Sequence, residues 1–190
     1  MASDLASLLS GSAEDVAPRL LGAVLTRELN GETVRVKIVE TEAYDQTDVA
    51  SHSYRGETER TKVMFGPAGY LYVYFTYGMH YCCNVVTGPA GHGAAVLIRA
   101  VEPIEGEALL QINRKATGVN TTNGPAKLCQ ALGIDKHLNG HDLRRLPLRL
   151  ELGDSITQES IMQTTRIGIA KGVDVPWRFY IRGNPWVSKV

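Results

Sequence analysis

Two apolar, aromatic runs that meet at a tight turn constrain the fold of this chain more than any other feature. The segment "YVYFTYGMHYCCNVV" (72–86) places one run on each side of Thr76-Tyr77-Gly78-Met79-His80. Runs of this length, joined by a turn that contains glycine, predict a β-hairpin. Surface turns usually carry Asn, Asp or Ser beside the glycine, whereas this turn carries tyrosine, methionine and histidine. The apolar tip has two interpretations: it packs against another part of the fold, or it binds something.

The remaining elements predict a mixed architecture. Strands are predicted at 33–44, 70–76, 80–87 and 94–101, with shorter ones at 147–152, 164–170 and 177–182. Helices are predicted at 13–27, 103–112 and 125–132, and the polar residues 45–62 predict a long loop. Strands and helices are mixed without a regular βαβ rhythm, so the predicted fold class is α+β. Because no repeat or linker interrupts the pattern, residues 1–190 are predicted to form one domain.

Composition excludes several classes of protein. Of the 190 residues, 44% are hydrophobic and 21% are charged, which is typical of a folded chain rather than a disordered one. No run approaches the roughly 18 apolar residues that a membrane span requires, so no membrane association is expected. The N-terminal segment is acidic and lacks the basic start of a signal peptide. Three cysteines, two of them adjacent, make no disulfide framework, and we expect a reduced, intracellular location.

The charge is balanced overall but unevenly distributed. Lys and Arg number 20, as do Asp and Glu. Residues 1–107 hold eight basic against 14 acidic residues, whereas residues 108–149 hold seven basic against two acidic ones. Such a distribution permits a basic face on a neutral protein, and with it a polyanionic partner.

The strand "TVRVKIVETEAY" (33–44) ends in two carboxylates at unusual positions. The alternate residues Val34, Val36 and Ile38 are predicted to face the core, and Glu40 and Glu42 continue the same alternation. Burying a carboxylate costs several kcal/mol unless it is paired or protonated. Either the sheet has ended and Glu42 is solvated, or Glu42 is a general acid or base in a cleft.

Arg99 is the one charged residue in the apolar run "AAVLIRAV" (94–101). A guanidinium in such a strand requires an anionic partner, either a carboxylate or a phosphate. The nearby Glu102 or Glu105 would serve a purely structural role, whereas pairing with Glu42 would give both residues a function.

Tyrosines dominate the aromatic residues, with eight tyrosines against three phenylalanines. Tyr70, Tyr72 and Tyr74 share one side of a predicted strand, and Tyr44 lies two residues beyond Glu42. They either pack on the face of the sheet or form a stacking platform for a planar ligand, with Tyr44 as a further wall.

Sequence motifs for metals and cofactors are missing. His137 and His141 are four residues apart, but Asn139-Gly140 interrupts the helix that this spacing would need, and neither CxxC nor HExxH occurs. No metal and no cofactor are therefore predicted. Cys83 and Cys129 lack a catalytic motif and are predicted to be core residues. The segment "NGPAKLC" (123–129) either presents a helix N-terminus and Lys127 to a phosphate or is an ordinary capped helix.

Five blocks of the chain, in order, resemble the alkyladenine (3-methyladenine) DNA glycosylase family. They are "VETEAY…SH" (39–52), "GPAGYLYVYFTYGMHYCCNVV" (66–86), "AVLIRAVEPIEG" (95–106), "NGPAKLCQALGI" (123–134) and "RFYIRGNPWVS" (178–188). The resemblance implies a single mixed domain with a curved antiparallel sheet, and a protruding β-hairpin that inserts into DNA. It also implies excision of alkylated or deaminated purines, of the 3-methyladenine type and extending to hypoxanthine and ethenoadenine.

The resemblance assigns a role to each site residue. Glu42 is similar to the general base that activates water, and Arg99 to its companion. The flipped base is held by Tyr44, His52 and Tyr74 and crowded by Asn84; Tyr77 enters the DNA gap, flanked by Met79. No catalytic lysine stands out in the matched blocks, so monofunctional hydrolysis is expected, without strand cleavage.

The implied partner is damaged double-stranded DNA, contacted through its minor groove by a monomer. On charge, the candidates for phosphate contacts are Arg60, Lys62, Lys127, Arg144, Arg145 and Arg182. Two alternatives stay open: a damage-binding module without catalysis, and an RNA-binding protein of similar surface.

Overall fold

An antiparallel sheet organises the residues that the computed structural model describes, which are 2–76 and 78–188. Within them the strands are β1 (Val24–Leu29), β2 (Glu32–Asp45), β3 (Leu71–Thr76), β4 (His80–Val86), β5 (Ala94–Glu105), β6 (Leu148–Glu151), β7 (Ile161–Thr164) and β8 (Arg178–Ile181). Their order is β3-β4-β5-β2-β1-β6, and β8 pairs with both β2 and β7. The α-helices are α1 (Ala2–Leu8), α2 (Ala13–Arg19), α3 (Glu107–Arg114) and α4 (Pro125–Ala131). A curled antiparallel sheet with a few helices confirms the α+β class.

The main hydrophobic core lies between one face of the sheet and the helices. Helix α2 begins at the cap Ser12, whose hydroxyl accepts a hydrogen bond from the Asp15 amide, and it buries Val16 against the sheet. Helices α3 and α4 contribute leucines and Cys129 to the same cluster. The opposite face of the sheet is therefore left for other contacts.

Two of the three irregularities in the β2–β5 pairing decide which side chains near Glu40 and Glu42 face the core. Val39 is an extra residue on β2, and Arg99 is an extra residue on β5. Each β-bulge reverses the alternation of the residues that follow it. Beyond the first bulge Thr41 faces the helices, where its hydroxyl donates to the Ala17 carbonyl at 2.8 Å.

The predicted alternation of Glu40 and Glu42 is consequently wrong, and of the two alternatives for Glu42 the solvated one is wrong as well. Both side chains are fully buried, but they point away from the face that holds Val34, Val36 and Ile38. Their burial depends on segments that fold over the second face of the sheet.

Most predicted elements are confirmed, and three have different bounds. Helix α2 ends at Arg19, eight residues before the predicted end, because Gly22 adopts φ +87° and the following residues pair with β2 and β6. Residues 103–105 extend β5 instead of starting a helix, and α3 begins after Gly106 at φ +75°. The strand predicted at 164–170 lies at Ile161–Thr164. Helix α1 was not predicted.

The predicted hairpin is formed by β3 and β4, from the Leu71–Val85 pair to the Thr76–His80 pair. Strand β4 pairs with β5 only from Asn84–Leu97 to Val86–Ala95, so the outer half of the hairpin extends past that neighbour. At the tip Met79 is 68% exposed. Tyr77 lies outside the described residues. Met79 is thus exposed, and the first interpretation, packing against the fold, is wrong for this residue.

Candidate active site

A cavity of about 510 Å³ opens on the sheet face opposite the main core. This volume is within the usual range of small-molecule sites, about 300–1,000 Å³. Strands β2 to β5 contribute Tyr44, Tyr72, Tyr74, Cys82, Asn84, Leu97 and Arg99 to its lining. The loops contribute Val49, Ala50, His52, Met64 and residues 167–171. The structure therefore brings most of the predicted site residues to one place.

Glu42 lies directly behind the cavity wall and is fully buried. Its Oε1 accepts a hydrogen bond from the Ile167 amide at 2.8 Å and forms an ion pair with Arg99 Nη1 at 3.2 Å. Its Oε2 accepts one from the Tyr44 hydroxyl at 2.8 Å. Tyr44, Arg99 and Ile167 all line the cavity, so the carboxylate is one side chain away from it. All three contacts are donated to the carboxylate, as an ionised group requires.

Arg99 lies between two carboxylates. Its Nε donates to Glu40 Oε1 at 3.0 Å, and its Nη1 reaches Glu42. Burial alone would lower the pKa of Arg99, but the charges of Glu42 and Glu40 outweigh it and the pKa is raised. The predicted Glu42–Arg99 pair is confirmed. The alternative in which Arg99 pairs with Glu102 is wrong, because Glu102 pairs with Lys37 at 2.8 Å.

Glu40 is a buried ion-pair centre that the predicted site omits. Its carboxylate accepts from Arg99 Nε, from Arg178 Nε at 2.7 Å, and from both the amide (2.7 Å) and the hydroxyl (2.9 Å) of Ser188. The signal was available, because the argument from burial that singled out Glu42 applies equally to a carboxylate two residues earlier.

Three rings form one wall of the cavity. The His52 ring meets Tyr74 edge-on with centroids 4.5 Å apart, and Tyr72 stacks on Tyr74 at 5.7 Å. His52 Nδ1 is 3.1 Å from the Tyr72 hydroxyl. Tyr72 belongs to the site although only Tyr74 was predicted there. Tyr72 and Tyr74 therefore pack against each other and also border a cavity, so both interpretations of the tyrosines stay open.

His52 is neutral at physiological pH. Desolvation, followed by the charge of Arg60, lowers the pKa of His52 to about 4. The Arg60 guanidinium lies 5.9 Å from the centroid of the Tyr74 ring. The wall consequently presents uncharged, polarisable rings to the cavity.

Tyr44 forms a separate part of the lining and is held from two sides. Its hydroxyl bonds to Glu42, and the Arg166 guanidinium lies 4.8 Å from the centroid of its ring. Burial, and then the charge of Glu42, raise the pKa of Tyr44, so its hydroxyl keeps its proton. A protonated phenol is the donor that the Glu42 carboxylate requires.

Arg166 is a second residue that the predicted site omits. Its guanidinium is buried, pairs with Asp48 and donates to the Ala43 carbonyl at 3.0 Å and the Gly172 carbonyl at 3.2 Å. These bonds hold the segment that begins at Ile167 against β2. No local sequence pattern distinguishes this arginine from a surface one.

Asn84 and Cys82 complete the lining from β4. The Asn84 amide donates to the Tyr72 carbonyl at 3.1 Å and is buried. Burial raises the pKa of the Cys82 thiol to about 11, so the group is uncharged. Cys83 and Cys129 lie in the main core, as predicted.

The predicted phosphate contacts are scattered. Arg60 approaches the cavity wall, and Lys127, whose Nζ donates to Asn123 at 2.6 Å, is two residues from Pro125 in the lining. Lys62 pairs with Glu59 at 2.8 Å. Both Arg144 and Arg145 pair with Asp142 away from this cavity, and Arg182 follows β8. Nothing in the geometry brings all six together.

Two kinds of feature are missing from the described residues, 2–76 and 78–188: a metal-binding cluster and a membrane-spanning helix. These residues contain no group of three His, Cys, Asp or Glu side chains placed to hold a metal ion. No α-helix among them is long and apolar enough to cross a membrane.

The similarity of this chain to known proteins covers nearly its whole length. The family model for "Methylpurine-DNA glycosylase (MPG)" matches residues 7–185, a range that includes every residue of the cavity lining. A Carboxydothermus hydrogenoformans protein named "Putative 3-methyladenine DNA glycosylase" is 53% identical, over 92% of both chains. Proteins of the same name from Methanoculleus marisnigri and Francisella tularensis are 49% identical (92% of both chains) and 47% identical (98% of both chains).

Proposed function

Because this chain belongs to the methylpurine-DNA glycosylase family, we propose that it excises damaged purines from duplex DNA by hydrolysing the N-glycosidic bond. Family membership makes it a base-excision repair enzyme, a hydrolase of N-glycosyl bonds. The observation that supports the proposal most strongly is a buried, arginine-paired carboxylate, Glu42, directly behind a cavity lined with aromatic rings.

The proposed substrates are purines of the 3-methyladenine type, together with hypoxanthine and ethenoadenine. A base inside a duplex hides its glycosidic bond, so the enzyme must extrude it at a cost of a few kcal/mol in lost stacking. Tyr44, Tyr74 and His52 provide ring faces and edges on which the extruded base stacks. A cationic base such as 3-methyladenine gains a further 1–2 kcal/mol, approximately, from contact with these electron-rich rings.

The proposed chemistry uses one water molecule. The water oxygen bonds to C1′ of an oxocarbenium-like sugar while Glu42 accepts a proton from that water. The electron pair of the glycosidic bond leaves with the purine. The alkylated purine is a good leaving group because it already carries positive charge. Glu42 Oε2 accepts a hydrogen bond from the Tyr44 hydroxyl, and a carboxylate oxygen has a further lone pair with which it can accept from the water. Arg99 holds the carboxylate in place.

The hairpin and the basic residues are proposed to engage the DNA. Tyr77 would enter the minor groove and occupy the gap left by the base, with Met79 at the adjoining step. Arg60 and Lys127 are the best placed of the six basic residues to contact phosphates near the cavity. We further propose that residues 1–190 act as one domain, as a monomer inside the cell, and without a cofactor.

The test is base release by a Glu42→Gln variant from duplexes that each carry one defined lesion. Excision is expected to fall by about 10²–10⁴-fold, as for loss of a general base, while binding to an abasic-analogue duplex is retained. Glu102→Gln, which removes a surface carboxylate from β5, is the matched control and keeps the wild-type rate. Near-normal excision by Glu42→Gln would contradict the general-base role.

The wild-type protein in the same assay separates the alternatives. Release of free base from damaged duplexes eliminates a damage-binding module without catalysis. Comparable affinity for undamaged single-stranded RNA and damaged duplex DNA would instead favour an RNA-binding protein.

A further inference from the structure

We propose that Glu40 is a positioning residue for base excision, acting on Glu42 through Arg99. The inference rests on the proposed function, and it gives a role to a carboxylate that touches neither the cavity nor any reacting atom. Glu40 is fully buried and does not line the cavity, so it has no route to the substrate except through its neighbours.

The two carboxylates hold Arg99 from different atoms of its guanidinium. Glu40 takes Nε at 3.0 Å, and Glu42 takes Nη1 at 3.2 Å, both through their Oε1 atoms. Because a guanidinium is planar and rigid, fixing Nε on one carboxylate fixes the direction in which Nη1 points. The orientation of Arg99 towards Glu42 is therefore set by Glu40.

Loss of the Glu40 charge would change what Arg99 does to Glu42. With one carboxylate partner remaining, the guanidinium would turn towards a two-pronged bond with Glu42, which is the preferred geometry of arginine and carboxylate. Such a bond occupies Oε2, the oxygen that otherwise retains a lone pair for the attacking water. The predicted result is a slower chemical step with little effect on DNA binding.

Glu40 is itself fixed by groups from distant parts of the chain. Arg178 of β8 donates from Nε at 2.7 Å, and Ser188 donates from its amide and its hydroxyl. The β-bulges at Val39 and Arg99 place the two partners, Glu40 and Arg99, against each other at the point where the β2–β5 register shifts. The position of Arg99 therefore depends on the end of the chain as well as on its own strand.

The experiment measures the single-turnover rate of base release, per active molecule, for Glu40→Gln on a duplex with one hypoxanthine. The rate is expected to fall by about 10- to 100-fold, as for a small displacement of a catalytic group, and the Kd for an abasic-analogue duplex to stay within about twofold of wild type. Arg27→Gln is the matched control: it removes a different buried charge, bonded to the carbonyls of Leu132, Gly133 and Pro147, and leaves the rate unchanged.

A double variant distinguishes positioning from a merely structural role. If Glu40 acts through Arg99, adding Glu40→Gln to Arg99→Gln changes the rate of Arg99→Gln by less than about twofold. The proposal is overturned if the double variant is slower than Arg99→Gln by the full factor that Glu40→Gln causes alone. It is also overturned if Glu40→Gln alone releases base at the wild-type rate. If Glu40→Gln does not fold, Ser188→Ala removes one of its donors: the proposal expects the rate to fall by about threefold, and no change from wild type overturns it.

Failure of the two proposals gives different results. A wild-type protein that releases base while Glu40→Gln does so equally fast refutes the role of Glu40 only. A wild-type protein that releases no base from any lesion refutes the proposed function, and the role of Glu40 with it.

Discussion

Single side chains in this site are governed by the cost of burying charge. Glu40 and Glu42 are fully buried, and Arg99 and Arg178 are nearly so. Two negative and two positive groups in contact offset much of the desolvation that each would suffer alone. Removing one member leaves an uncompensated buried charge, which is why single substitutions here are expected to change both stability and chemistry.

The Arg60 charge is predicted to contribute to the low pKa of His52, after desolvation. Desolvation and Arg60 together lower the pKa of His52 to about 4, and Arg60→Gln removes the second cause. The pKa is therefore expected to rise towards the ordinary value of about 6.5, as followed by NMR titration of the His52 ring protons. Arg55→Gln, in the same loop, is the control and leaves the pKa unchanged. A pKa that stays near 4 in Arg60→Gln would assign the whole shift to desolvation.

The lowered pKa of His52 also makes the stability of the folded protein depend on pH. Between about pH 6.5 and pH 4 the unfolded chain binds a proton at His52 that the folded chain does not, so this residue makes the protein less stable as the pH falls through that window. Arg60→Gln is expected to weaken this part of the pH dependence.

At the scale of elements, irregularities in the strands decide where the charged side chains of the site point. The bulge at Val39 turns Glu40 and Glu42 away from the helical core, and the bulge at Arg99 on β5 brings that residue against Glu40. Regular alternation would have directed the carboxylates into an apolar cluster. The hairpin contributes differently, because one face of β3 and β4 lines the cavity through Tyr74 and Asn84 while its tip carries the exposed Met79.

The hairpin tip is predicted to act in binding and base extrusion rather than in bond cleavage. Tyr77→Ala is expected to weaken binding to damaged duplex and to slow excision from it, because the plug that offsets lost stacking is removed. Excision of the same base from an already extrudable position, such as a single strand, should be mostly unchanged. Single-turnover rates on both substrates provide the measurement.

An exposed apolar residue elsewhere gives the comparison. Ile112 on α3 is 70% exposed, and Ile112→Ala is expected to leave duplex excision at the wild-type rate. Equal losses on duplex and single strand in Tyr77→Ala would mean that Tyr77 acts on the chemistry, contrary to the prediction.

At the scale of the whole molecule, the cavity is assembled by contacts between residues far apart along the chain. Asp48 pairs with Arg166, Glu42 accepts from the Ile167 amide, and Glu40 accepts from Ser188. Residues from the last third of the chain thus cover the face of the sheet that carries Glu40 and Glu42.

Arg166→Gln is predicted to destabilise the protein strongly. The substitution leaves the buried Asp48 carboxylate without its cation, and loss of one partner of a buried pair costs about 3–5 kcal/mol of unfolding free energy. Urea denaturation provides the measurement. Arg149→Gln, which removes a half-exposed pair with Glu151, is the control and should cost less than about 1 kcal/mol. Similar losses for the two variants would contradict the importance of the Asp48–Arg166 pair.

Local pattern was sufficient for much of the fold. Alternating and aromatic runs located β2 to β5, and the glycine turn located the hairpin. Helix bounds were less predictable: the apolar residues after Arg19 suit either a helix or a strand, and pairing with β2 and β6 decided for the strand. Glu42 and Arg99 were identifiable because a charge in an apolar strand requires a partner.

What the sequence by itself determined is strands β2 to β5 with their hairpin, the α+β class, the charged residues that need a partner if buried and, through resemblance, the family. The tertiary structure alone decided that Arg99 holds two carboxylates, that Glu40 and Arg166 belong to the site, and which face of the sheet carries it. The reason is physical: side-chain alternation is a local property, readable along a strand, whereas a bulge changes its phase and an ion pair joins residues that only the packed chain brings into contact.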